Sequence, residues 1–435
     1  MWILGRSARR ALLFAAALAA LASAPAWSAQ QGHCATGLFT LRADFPGARL
    51  GPCRMIGPRA LEVRIEPEDE PINPSPWYGF HARATAPDAG TLSIRLNYGA
   101  YEHRYPPKTS ADGEAWRALP ASETTLLDDG GAVVRVRPGQ GGLYVSAQEN
   151  IGNDRYEAWL NTLAKGHPGA RLMEIGRSVE GRPIRALHVN PEAPRHLLLL
   201  GRQHPPEVTG ALALMSFMER LLAKRREACV QPGPACAFFK DHGLMLAPNL
   251  NPDGVARGHW RHNLSGVDLN RDWGAFTQPE TQAIRDWVGD LEASGQSLAL
   301  VLDFHSTYRN VFYVQDADSP TDPPAFARRW LARATAAGNP VPFEYAPRPL
   351  TDLGTAKNYF HARFGVPSIT YELADEEDRG AIAASAAVTA DALVATLAEP
   401  DGLKSQRQRG PLLRFSRNAG EVGRHDQQQP SVLGH

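Results

Sequence analysis

The chain has 435 residues, 43% of them hydrophobic, enough to bury a large core and to divide into two domains. Lys and Arg together number 46, as do Asp and Glu, so no global charge argues for nucleic acid, an anionic membrane or a strongly charged partner.

Arg6, Arg9 and Arg10 precede an apolar run from Ala11 to about Ala24, followed by Pro25-Ala26-Trp27-Ser28-Ala29. That is the layout of a secretory signal with a small-residue cleavage site between Ala26 and Ala29. Residues 1–29 are therefore read as a signal peptide, and the mature chain is expected to be periplasmic or secreted and off the membrane. A signal anchor is the competing reading, disfavoured by the short, Ala-rich run. Cys34 follows Gly32-His33, unlike a lipid-attachment cysteine. Four cysteines in an exported chain point to two disulfides, with Cys34–Cys53 and Cys229–Cys236 the local pairings; free buried thiols are the alternative.

From about Leu38 to Gln148 the sequence alternates with period two. Leu61-Glu-Val-Arg-Ile, Trp77-Tyr-Gly-Phe-His-Ala-Arg-Ala, Leu92-Ser-Ile-Arg-Leu-Asn-Tyr and Val133-Val-Arg-Val-Arg are short strand patterns separated by Pro, Gly and Asp clusters. This predicts an antiparallel β-sandwich over 30–148. It carries no catalytic constellation: His81 and His103 are isolated and read as ordinary sheet residues. Tyr98 and Tyr101 read as packing residues or as part of a binding surface.

At about Glu149 the texture changes to strands alternating with helices, an α/β domain over 149–400. Tyr156 to Leu163 gives a helix, and Arg171 to Val189 a hairpin. His196-Leu-Leu-Leu-Leu-Gly201 suits a strand covered on both faces. His204 ends that run, and Pro205-Pro206-Glu207 opens an amphipathic helix through Val208, Leu212, Met215, Phe217, Met218, Leu221 and Leu222. Gly243-Leu-Met-Leu-Ala-Pro is a second buried strand running into Asn249, Ser297 to His305 a third and Val366 to Glu372 a fourth. Thr277-Gln-Pro-Glu280 reads as a capping box. Residues 401–435, rich in Gln, Arg and Gly and without periodicity, read as a disordered tail.

His204, Asn249, His305 and Glu372 all fall at the ends of apolar strands, and in a parallel sheet the strand C-termini line one ligand-binding crevice. His204 and Glu207, three apart across a corner, can face one point; alone they equally suit a strand-end His and a dipole-favoured Glu. Together with His305 they make the two-imidazole, one-carboxylate set of a catalytic zinc site, one ion per chain. Zinc lowers the pKa of a water it holds and polarises a carbonyl, which makes amide hydrolysis the natural reaction. Glu372 is the candidate base. Arg261, in Gly258-His-Trp-Arg-His-Asn263, is the candidate oxyanion partner, and Asn270 with Arg271 suit a substrate carboxylate. A surface ion pair is the alternative for each arginine.

His204-Pro-Pro-Glu207, Asn251-Pro-Asp-Gly254, Trp260-Arg261, Gly266-Val-Asp-Leu-Asn-Arg271, Asp303-Phe-His305 and Tyr371-Glu372 together resemble, in order, the zinc carboxypeptidase family. Carboxypeptidase A, a member, uses the same ligand set, so set and resemblance are not independent. The sandwich and the His-Pro-x-Glu form look most like the branch containing cytosolic carboxypeptidases and their bacterial relatives. The resemblance implies a mixed, mainly parallel central sheet, His204, Glu207 and His305 as zinc ligands, and Glu372 as base. It also implies Arg261 for the oxyanion, Asn270 and Arg271 for the substrate's terminal carboxylate, and Asp268 as the carboxylate orienting His204. Two departures stand out. Pro206 occupies the place of an arginine common before the ligand Glu, and the position of a substrate-capping Tyr falls near Leu350, with Tyr345 a loose candidate. Lys357 falls near the family's specificity position and would favour an acidic C-terminal residue; a solvated helix lysine is the other reading, and Arg309 is a second basic candidate.

These expectations describe an exported metallocarboxypeptidase acting on peptides. An N-acyl-amino-acid deacylase and a murein-peptide amidase share the zinc chemistry, and a peptide-binding protein without catalysis is the competitor of another class. No Gly-x-Ser-x-Gly elbow and no Gly-rich phosphate loop occurs in the sequence.

Overall fold

A computed structural model describes residues 32–315, 319–348 and 352–399. The expected signal peptide and C-terminal tail lie outside the described residues. The first part of the chain forms strands β1 (His33–Ala35), β2 (Phe39–Arg42), β3 (Cys53–Gly57), β4 (Ala60–Arg64), β5 (Gly79–Ala84), β6 (Leu92–Asn97), β7 (Lys108–Ser110), β8 (Arg117–Ala118), β9 (Thr124–Leu126), β10 (Ala132–Val136) and β11 (Leu143–Ser146). They make two sheets, β1-β2-β5-β11-β7-β8 and β3-β4-β6-β10-β9. Alternation drives the layering: along β6, Leu92, Ile94 and Leu96 are buried while the residues between them are partly exposed. Pairing is antiparallel with one exception. β4 and β6 run parallel because β5 crosses to the other sheet between them, reversing the chain twice.

Cys34 and Cys53 form the expected disulfide, joining the β1 and β3 strands. The second expected disulfide is not formed: Cys229 and Cys236 are thiols in contact, their sulfurs 2.9 Å apart against a bond length near 2.0 Å.

The rest of the chain is the expected α/β unit. Its helices are α1 (Asn153–Gly166), α2 (Val208–Ala228), α3 (Pro234–Asp241), α4 (Pro252–Arg257), α5 (Pro279–Ala293), α6 (Phe326–Ala336), α7 (Ala356–Phe364) and α8 (Arg379–Leu397). Its strands are β12 (Ala170–Arg177), β13 (Pro183–Val189), β14 (Arg195–Gly201), β15 (His242–Ala247), β16 (Ser297–Thr307), β17 (Val311–Val314), β18 (Glu344–Pro347) and β19 (Ser368–Ala374), in the sheet order β12-β13-β15-β14-β16-β19-β17-β18. The four central strands, β15, β14, β16 and β19, are parallel, and antiparallel neighbours flank them.

The leucine run of β14 is explained by its place at the middle of this sheet. Leu197 and Leu199 join one core with Phe217 of α2 and Leu393 of α8, whereas Leu198 and Leu200 join another with Trp287 of α5 and Phe360 of α7. Both faces are covered, so no position along the run tolerates a polar side chain. α8 is long and apolar enough to cross a membrane, and here it packs on α2 and α6.

The capping box expected at Thr277 is absent. α5 begins at Pro279, and the Thr277 hydroxyl donates to Asp272 Oδ1 at 2.6 Å. Asp272 also accepts the amides of Thr277 and Gln278, so a carboxylate from the preceding loop does the capping.

The sandwich is fastened to the α/β domain by ion pairs. Arg104 lies 2.9 Å from Asp375, and Lys108, itself buried, donates to Glu376 at 2.6 Å. These contacts bring one edge of the sandwich to the C-terminal ends of the parallel strands.

Candidate metal centre

The turn after β14 delivers His204. Arg202 there is left-handed, with φ 51°, a conformation costing a non-glycine residue roughly 1–3 kcal/mol. Its buried guanidinium holds the turn by donating to Pro205 O at 2.7 Å and to the Tyr156 hydroxyl at 3.1 Å. Glu207 is the N-cap residue of α2, yet its side chain caps no amide and turns toward the histidines instead. Gly210, in the first turn of α2, lies against the backbone of β16, where a Cβ would fall 2.4 Å from His305 O. Only glycine lets the helix approach this closely, and the approach brings Glu207 to His305. On the neighbouring strand β19, Glu372 is in register with His305.

The donors converge. His204 Nδ1 lies 2.8 Å from Glu207 Oε1, and His305 Nδ1 lies 2.7 Å from Glu207 Oε2. The three potential ligand atoms fall within 4.8 Å of one another, all on buried residues. Each far ring nitrogen faces a carboxylate: His204 Nε2 is 2.9 Å from Asp268 Oδ1, and His305 Nε2 is 2.7 Å from Asp303 Oδ2. Donation from Nε2 leaves the Nδ1 lone pair of a neutral imidazole pointing at the centre, the arrangement that suits a bound dication.

Charge reinforces the geometry. Burial opposes ionisation of Glu207, but His204 and His305 hold it well below the usual carboxylate range. Against burial, Asp303 and then Glu207 hold His305 well above its ordinary value, so these carboxylates favour positive charge at the centre and a dication at Nδ1 would take the place of a proton there. Glu372 behaves oppositely: burial pushes its carboxyl up to about 7, with His305 opposing and Glu207 adding to the rise. Among the described residues its Oε2 has no hydrogen-bond partner. Two imidazoles, one carboxylate and an unpartnered acid beside them fit a catalytic zinc site, in which three protein ligands leave a position open.

Arg261, Asn270, Arg271 and Lys357 line one cavity of about 550 Å³ with these four, and Asp268 stands behind its wall. Arg261, buried, donates from Nε to Asp268 Oδ2 at 2.7 Å, so Asp268 serves both His204 and Arg261. The backbone N–H of Asn270 donates to Asp268 Oδ1 at 2.9 Å, and its side-chain Oδ1 accepts from Ala356 N at 2.9 Å. Arg271 is exposed at the wall, donating to Asn270 O at 2.8 Å. Lys357, near the start of α7, is buried rather than solvated and also lines the cavity.

Three expectations fall away from this place. Asn249 belongs elsewhere, donating to Asn153 Oδ1 at 2.7 Å. Tyr345 sits on β18, under Arg328 and outside the cavity lining, while Leu350 lies outside the described residues. Arg309 pairs on the surface with Glu344 at 3.3 Å.

Sequence reasoning missed the partner of His305. Asp303 precedes it by two on the same strand, hence on the same face. A carboxylate at that spacing inside an otherwise apolar strand was the available signal. Missed too were Asn73, Ser75 and Arg104, which the sandwich contributes to the cavity, and Tyr308, Tyr313 and Arg348.

Residues 156–393, more than half of the chain, match the family model described as zinc carboxypeptidase. The chain belongs to the zinc carboxypeptidase family. Among its relatives in the family, human cytosolic carboxypeptidase 6 is 28% identical over 172 residues, 36% of this chain and 33% of the human one. An uncharacterised protein of Zymomonas mobilis is 26% identical over 233 residues, 53% of this chain and 58% of the other. The chain thus spans less than two thirds of the length of either. Among solved structures, a metallo-carboxypeptidase from Burkholderia cenocepacia has a TM-score of 0.66 at 21% identity, covering 82% of this chain and 98% of its own. One from Pseudomonas aeruginosa has 0.63 at 23%, covering 82% and 98%. That share of this chain is too large for the α/β domain alone, so the shared fold extends into the sandwich.

Proposed function

We propose that this zinc carboxypeptidase family member is an exported metallocarboxypeptidase that hydrolyses the last peptide bond of peptides, with one zinc per chain on His204, Glu207 and His305. One observation carries the reading: three donor groups lie within 4.8 Å of one another, beside a carboxyl oxygen of Glu372 that has no partner among the described residues. Zinc held there would supply Lewis-acid polarisation of the scissile carbonyl and a more acidic water. The side chains do the rest. Glu372 takes the proton of the attacking water and hands it to the leaving amine. Arg261 stabilises the oxyanion that develops on the carbonyl, its position set by Asp268. Asn270 and Arg271 grip the terminal carboxylate, which restricts cutting to the chain end. Asp268 and Asp303 hold the two imidazoles in orientation.

Lys357 deepens the reading. A buried ammonium on the wall of the cavity, with Arg348 also lining it, favours a C-terminal Glu, Asp or other carboxylate-bearing residue. The basic, apolar N-terminal segment and the Cys34–Cys53 disulfide support export.

Peptides differing only in the last residue, with products followed by mass spectrometry, test this. Release of single C-terminal residues is expected, fastest for acidic ends, abolished by chelation and restored by zinc. Internal cuts, or hydrolysis of acylated amino acids with peptides untouched, would contradict it.

A further inference from the structure

The loop that carries Arg261 is held from outside its own domain. Glu68, between β4 and β5, extends its carboxylate to three consecutive amides. Trp260 N donates to Oε2 at 2.6 Å, Arg261 N to Oε1 at 2.8 Å and His262 N to Oε1 at 2.7 Å. Successive amides turned to one side form a concavity that binds an anion, and here the anion is a side chain of the sandwich. Neighbouring contacts fix the same loop. His262 Nδ1 donates to Asp69 at 2.5 Å, and the Tyr101 ring packs edge-on against Trp260 at 5.3 Å. Gly258, with φ +63°, lies so close to Trp77 and Arg49 that a Cβ would meet both within 3.0 Å. Glu68, Asp69 and His262 also lie close enough together to hold a cation. Both Glu68 oxygens already accept amides, however, so the cluster acts as a clamp. From the clamp the contacts run inward, through Arg261 Nε to Asp268 at 2.7 Å and from Asp268 to His204 Nε2 at 2.9 Å.

We propose that Glu68 is a positioning residue for the reaction, an anion lent by the sandwich that fixes the backbone of Arg261 and so the place of its guanidinium in the cavity. The proposal rests on the role given to Arg261 above. Glu68 does not line the cavity, so it acts through Arg261. The sandwich is then a working part of the site as well as its support.

A double-mutant cycle on the full zinc-loaded chain tests this, with kcat, KM and zinc content read for Glu68→Ala, Arg261→Ala and the pair. Arg261→Ala should lower kcat by about 100-fold, as loss of an oxyanion donor does. Glu68→Ala should lower kcat by at least about tenfold, since misplacement by about 1 Å is costly, with KM and zinc content little changed. In the Arg261→Ala background the same change should cost less than about twofold, because nothing is left to position. Glu68→Gln, which keeps the shape and one oxygen, should fall between wild type and Glu68→Ala, and it carries the cycle if Glu68→Ala does not fold. Additive losses, or wild-type kcat in the Glu68 variants, would overturn the proposal alone. Wild-type kcat in Arg261→Ala would remove the reading on which it rests.

Discussion

Asp303→Asn separates the holding of the metal from the chemistry. Asp303 is 1% exposed, and its Oδ2 accepts from both His305 Nε2 and Gln203 Nε2 at 2.7 Å, while Oδ1 has no partner among the described residues. An amide can keep both bonds only by placing its NH2 group where Oδ1 now lies, facing no acceptor. Two losses follow. The bond to His305 gives up its charge assistance, about half its strength, and a buried donor goes unsatisfied at a cost of about 1–3 kcal/mol. Loss of a carboxylate behind a ligand histidine typically lowers metal affinity by about 10–100-fold, or about 1.4–2.8 kcal/mol. Asp303 does not line the cavity, so kcat at saturating zinc should stay near wild type. Asp268→Asn should differ, because Asp268 also holds Arg261, and should lower both affinity and kcat. Competition against a chromophoric chelator gives the affinity, and steady-state rates at saturating zinc give kcat. Unchanged affinity in Asp303→Asn, or a kcat loss at full occupancy matching that of Asp268→Asn, would refute the reasoning.

Lys357→Ala should erase any preference for acidic C-terminal residues, with kcat/KM for a Glu-ended peptide falling about tenfold or more relative to a Leu-ended one; an unchanged ratio would put selectivity elsewhere. The acid limb of kcat/KM should lie below about pH 7: burial raises Glu372 to about 7, a bound dication lowers it from there, and the base works only when ionised, so activity falls as pH drops through its pKa. Stability should also fall in acid. Burial lowers His188 and His196 to about 4 and His242 to about 3, so they stay neutral in the native chain while the unfolded chain takes up protons below about 6.5. Their contribution is whole above that pH and is lost as pH falls toward 4, on the order of 1 kcal/mol each by pH 5, which a melting series from pH 7 to 4.5 would show.

The reach and the limits of the sequence have physical causes. His204, His305 and Glu372 were legible because each interrupts an apolar strand at its C-terminal end, where a parallel sheet gathers side chains into one crevice. Glu207 was legible through its spacing from His204, and Asp268 and Arg261 through motif order. Asn249 obeyed the same strand-end pattern and lies elsewhere, since a strand end fixes a height in the sheet and not a direction. Thr277 obeyed the capping pattern, but Asp272 competed for the same amides. Glu68 and Arg104 gave no signal, because their partners lie across the domain boundary and far along the chain, where no local pattern records them.

The claim that His204, Glu207 and His305 hold one cation beside a working base is tested most directly in Glu372→Gln, by measuring zinc per chain and peptide turnover on the same preparation. The account predicts one zinc retained and turnover lower by about 10²–10⁴-fold. A variant that holds no zinc, or that cleaves peptides near the wild-type rate, would contradict it.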